Sequence, residues 1–162
     1  MSKGWAAAMV AAALCASGCG MDARHEAASD VRALLAAAQA GDTAAFEAHI
    51  DRPSLQADLK SQLMTLPEIR ALQSQLGDNV GDVAAERMIS PQAVVQARAG
   101  VGPLRDDKDV VQALRVLDHT RVCLSEPKEK DRCALTFEKK GRAWKLTAIH
   151  ATDLRAQIPE GW

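Results

Sequence analysis

Histidines beside acidic residues are where hydrolytic or metal chemistry would begin in this chain. His25-Glu26 opens like a zinc-protease helix, which needs a second histidine four residues on, but that position is Ser29. His49-Ile50-Asp51 with Glu47 offers metal-ligating groups, and a helix end carrying a solvated histidine accounts for the same residues. Arg105-Asp106-Asp107-Lys108-Asp109 lacks the glycine and the terminal glutamate of a calcium loop and reads as a solvated turn. The segment Gly100-Val101-Gly102-Pro103 is too short to cradle a phosphate and has no strand–loop–helix around it. His119 and His150 are placed to approach each other across strands, with no serine or thiol nucleophile beside them. Arg142, Trp144 and Lys145 offer a basic and aromatic edge, against which stands the plainer reading, Trp144 in the core and Lys145 toward solvent. No catalytic, metal-binding or cofactor-binding residue is assigned, and the chain is expected not to be an enzyme.

The cysteines carry more information. Ahead of Cys15 and Cys19 stands a basic start, Lys3, and then an apolar run from Ala6 to Ala16. That run falls short of the roughly twenty apolar residues a membrane span needs. A basic start, a short apolar core and a small-residue exit make a secretory signal. Ala16-Ser17-Gly18-Cys19 resembles the bacterial lipoprotein box, in which small residues precede the cysteine that is cut and lipidated. The resemblance implies a signal peptide over 1–18 and a lipid on Cys19. Leu14 before Cys15 fits the cleavage pocket poorly, and an ordinary cleaved signal or an uncleaved anchor are the alternatives. Several acyl chains hold a protein firmly, at about 0.8 kcal/mol per buried methylene. Gly20 stands where an Asp favours inner-membrane retention in such lipoproteins, so a periplasm-facing protein on the outer membrane is slightly favoured. Cys15 then leaves and Cys19 is lipidated. Cys123 and Cys133 remain together in an oxidising compartment, where a pair is expected to be a disulfide. Closing that loop restricts the unfolded chain by about 3 kcal/mol in the entropy account. If Val122 and Leu124 face the core, Cys123 points away from it while Cys133 shares the Leu135 face, so a bulge or a wide loop is required.

Composition narrows the partners. The 162 residues suit one domain with a single core, at a net charge of −1. Without a basic cluster, and with no Tyr and only 2 Phe and 3 Trp, nucleic-acid binding is excluded. The membrane through the N-terminal lipid and an envelope protein are the expected partners; oligomeric state is not legible.

The elements that must position these residues follow from periodicity. Residues 19–28 read as a tether, 29–155 as one domain and 156–162 as a tail. A first helix is expected from Ser29-Asp30, with Val31, Leu34, Leu35 and Ala38 on one face and Gly41 as its stop. Asp42 caps the next. Pro53 suits a helix's first turn, and Leu55, Leu59 and Leu63 recur every four residues. Pro67 interrupts, Gly77 and Gly81 punctuate, and Ser90-Pro91 starts a further helix ending at Gly100. "DVVQALRVL" is a short helix or the start of a strand, after which the period changes to that of strands. If Lys140-Gly141 is the turn, Phe137 pairs with Trp144 and Leu135 with Leu146 on one buried face. Together these predict an α+β fold, with N-terminal helices packed on one face of a C-terminal antiparallel β-sheet.

"AAQAGDTAAFEAHIDRPSLQADLKSQL", "ERMISPQAVVQA" and "FEKKGRAWKLTAIH" resemble a bacterial family, domain of unknown function 2939, over about residues 30–150. Asp51, Pro53, Leu55, Ser90, Pro91, Gly141, Trp144, Lys145 and Leu146 carry the resemblance; Arg52 replaces a usual aromatic and Gln56 a usual arginine. It implies a fold and a cell-envelope setting, and no activity.

Overall fold

The computed structural model describes residues 18–127 and 131–150, with side chains from Asp22 onward. Among the described residues, seven helices precede or flank a sheet of four antiparallel strands in the order β1-β2-β3-β4. This is the expected α+β layout.

The first helix, α1 (Gly18–Ala40), starts well ahead of Ser29. The stretch 19–28 expected as a tether is therefore helical, and Ala23, Ala27 and Ala28 are buried in the core. The signal was weak because alanines pack closely without marking a stripe as leucines do. Further along, Val31, Leu34, Leu35 and Ala38 are buried as their spacing predicts.

Helix α2 (Thr43–Ala48) is capped by Asp42, whose Oδ1 accepts the Ala45 N–H at 3.0 Å. Helix α3 (Arg52–Leu63) is capped by Asp51, has Pro53 in its first turn, and buries Leu55, Leu59 and Leu63 completely or nearly so. Each such leucine contributes about 1.5–3 kcal/mol. Pro67 opens α4 (Pro67–Leu76). Gly81, expected as punctuation, lies buried inside α5 (Val80–Met88), which packs on α3. Ser90 caps α6 (Pro91–Ala97) through its hydroxyl. "DVVQALRVL" is both of its readings in turn: α7 (Asp107–Ala113) runs directly into β1 (Leu114–Val116).

Strands β2 (Arg121–Ser125), β3 (Cys133–Lys140) and β4 (Ala143–Ile149) complete the sheet. Its helix-facing side is filled by Val122, Leu124, Leu135, Phe137, Leu146 and Ile149, all at 0 % exposure. The β3–β4 register differs from the expected one by two residues. Lys140 pairs with Ala143, Lys139 with Trp144 and Phe137 with Leu146. Gly141 takes the first turn position at φ 66°, leaving Lys140 in the strand. A shift of two keeps the side chains next to the turn on their expected faces, so Trp144 remains buried. Beyond Phe137 a bulge at Thr147 moves the register once more, pairing Leu135 with Ile149 and bringing Ile149 to the buried face.

Strand β4 is an edge, and the helical half covers it. Residues 49–51 lie alongside it, Asp51 N–H donating to Leu146 O at 2.9 Å and Leu146 N–H to His49 O at 3.0 Å. From α1, Asp30 Oδ2 accepts the Trp144 N–H at 2.7 Å. From α3, Gln62 Nε2 donates to Ile149 O at 2.9 Å. These bonds lock helices to sheet.

Candidate functional site

The disulfide joins Cys123 and Cys133, with Cα atoms 5.5 Å apart. The facing conflict read from the sequence is resolved by a bulge. Leu124 pairs with Leu135 and Ser125 with Cys133, so Ala134 is the extra residue, and Cys133 turns to the Cys123 side of the sheet. Arg115 on β1 reaches across this side. Its Nη2 lies 3.4 Å from Cys133 Sγ and donates to Asp131 O at 3.2 Å.

The histidine and acid motifs are taken up by structure. His25 is exposed and Glu26 pairs with Lys139. Glu47 is engaged by Arg52, which also pairs with Glu86, so Arg52 ties α3 to α2 and α5. Asp106 caps α7 through the Asp109 N–H, Asp107 pairs with Arg32, and Asp109 accepts the Arg105 N–H, so this acid run is a helix start. His119 and His150 do not meet. Thr120, next to His119, bonds Lys139 at one end of β3, while His150 bonds Ala134 at the other. That separation is roughly 17 Å along the strand. Trp144 is 2 % exposed, which removes the basic and aromatic edge. Among the described residues no group of three or more His, Cys, Asp or Glu is placed to hold a metal ion.

Two carboxyls are shifted. Burial works against the ionised form of Asp51, yet hydrogen bonds from Ser54 and Lys140 hold it below the usual carboxylate range. Burial pushes Asp58 up, against the opposing effects of His150, Gln62 and the Ile149 backbone. Both groups face the helix–sheet seam.

Space for a ligand lies elsewhere. A cleft of about 480 Å³ opens between α1, the segment 101–104, α7, β1 and the end of β2. Val101, Leu104 and Leu114 give it apolar walls, and Arg24 and Arg115 flank them. The Nε atoms of both arginines are buried without a hydrogen-bond partner. Sequence reasoning had no signal for this pair: the two arginines stand in elements far apart in the chain, and only the packing of α1 on β1 joins them. Gly100-Val101-Gly102-Pro103, rejected as a phosphate loop, contributes Val101 and Pro103 to the cleft wall.

Fold and site together define an α+β domain whose cleft is mixed apolar and charged. Residues 26–97 match the model of a family described as "Protein of unknown function (DUF2939)", which bears out the family resemblance over the helical half. No curated protein and no solved structure matches the chain. Among the described residues no helix is long and apolar enough to cross a membrane.

Proposed function

We propose that this is a lipid-anchored bacterial cell-envelope protein, attached through Cys19, facing the periplasm, and acting as a non-enzymatic binding module. The observation that carries the reading is the Cys123–Cys133 disulfide, since cross-linked pairs persist in oxidising compartments. The small residues before Cys19 supply the anchor, and the outer membrane is slightly favoured by Gly20. Helix α1 supports close attachment, because it begins beside Cys19 and continues into the core.

The alternative, a small-ligand protein with an apolar cavity between helices and sheet, meets a helix-facing side already filled by side chains. Room for a small molecule lies instead in the cleft beside β1, which is apolar only in part.

Mass spectrometry of the native protein tests the reading. The expected product begins at a diacylglyceryl-modified Cys19 and lacks two hydrogens at Cys123 and Cys133. An unmodified chain retaining Cys15, or two free thiols after denaturation, overturns it.

A further inference from the structure

We infer that the cleft between α1 and β1 binds a small anionic amphiphile, an oxyanion (carboxylate or phosphate monoester) carried on a short aliphatic chain. The inference deepens the binding-module reading and rests on it, by naming what the module takes. Three observations converge. First, about 480 Å³ is within the range of small-molecule sites, which run from about 300 to 1,000 Å³. Second, Val101, Leu104 and Leu114 line it, which suits an aliphatic chain. Third, two guanidiniums flank the same space with unpartnered Nε–H groups.

That third observation points to the ligand's charge. A buried N–H without an acceptor is costly, and such groups in folded proteins call for a partner. Arg115 is already engaged, its Nη2 by Asp131 O and the disulfide and its Nη1 by the Asp131 carboxylate at 3.6 Å, while Arg24 has no ion pair among the described residues and carries the main contact. The planar guanidinium fork matches an oxyanion's two acceptor oxygens, so a carboxylate or phosphate is the group these arginines fit best. Two acidic residues also line the cleft. Asp109 is held by the Arg105 N–H, and Glu126 lies against Gly100, where an added Cβ would come within 2.5 Å of its carboxyl carbon. Neither pairs with Arg24 or Arg115 in the described residues. Glu126 therefore acts against an anion and limits the ligand to a single oxyanion group.

Photolabelling of the full chain in a non-ionic detergent tests this. The probe is an octanoate carrying a diazirine, and mass spectrometry maps the labelled peptides. Label is expected on peptides containing Leu104 and Leu114, competed by octanoate and octyl phosphate. Arg24→Gln is expected to cut labelling at least ten-fold, and Arg24→Lys to restore part of it. Glu126→Gln is expected to raise it two- to three-fold. An uncharged diazirine octanol labelling the same peptides as strongly overturns the anionic half. Competition by inorganic phosphate equal to that by octyl phosphate overturns the aliphatic half. Loss of label in Glu126→Gln points to a zwitterion and overturns the single-oxyanion assignment. Octanoate competes in either case, and its failure to compete overturns the site; stronger competition by dioctanoyl phosphatidylglycerol identifies a membrane lipid as the source, and weaker competition a free acid. Unlabelled protein that still carries lipid at Cys19 sinks the inference while leaving the envelope assignment standing.

Discussion

The two edges of the sheet are treated in opposite ways. The β4 edge is saturated by the helical half: Asp30 from α1, the 49–51 segment and Gln62 from α3 each bond its backbone. The β1 edge is only three residues long, and Leu114 and Arg115 open onto the cleft. An uncovered edge strand invites pairing with another chain, so covering one and shortening the other are two solutions to the same hazard. The difference locates rigidity and room. Stability is concentrated along β4, and space for a ligand is kept beside β1.

Substitutions can break or sharpen that contrast. Trp144→Ala, which empties the largest buried side chain of β4, is expected to cost about 3–5 kcal/mol in urea unfolding. Asp30→Ala leaves the Trp144 N–H without its acceptor and is expected to cost about 1–3 kcal/mol; Asp30→Asn, which keeps a carbonyl oxygen, costs less. Asp51 gives a pH signature on the same edge. Its carboxyl is held below its ordinary value of 3.8, so its contribution is present above that pH and is lost as the pH falls through the lower folded value. Asp51→Asn keeps the helix cap and is expected to flatten stability against pH in that acid window, by about 1 kcal/mol or less. Smallest of all, Arg24→Gln on the cleft side is expected to change stability by less than about 0.5 kcal/mol. A cost equal to that of Asp30→Ala would erase the division between a structural seam and an open cleft.

Local signals were legible where one residue type does one job. Asp42 and Ser90 cap the helices their spacing announces, and the leucines of α3 are buried. The β3–β4 faces next to the turn were legible too, because alternation fixes them and a two-residue slip preserves it; the bulge at Thr147, which turns Ile149 inward, was not. Register itself was not, since it depends on which of two neighbouring positions takes the positive φ, and Gly141 could serve in either place. The start of α1 escaped because alanine does not distinguish a packed face from a solvated one. The Ala134 bulge was required by the disulfide rather than announced by any residue at that position. The arginines of the cleft were illegible for a different reason: no spacing relates position 24 to position 115, and only tertiary packing does.

The bonds that close the β4 edge also set an order of events. Asp30 and Trp144 are 114 residues apart, and Gln62 and Ile149 are separated by 87. During synthesis the acceptors and donors on α1 and α3 emerge long before the strand they are to bond. Until it arrives, they have water, and the leucine face of α3 lacks its sheet. Contacts this distant in sequence slow folding, because the chain must lose the entropy of a long closure before it gains them. A fragment covering only the family-matched residues 26–97 would lack the strand that completes its packing. The matched stretch therefore ends before the strand against which its leucines pack.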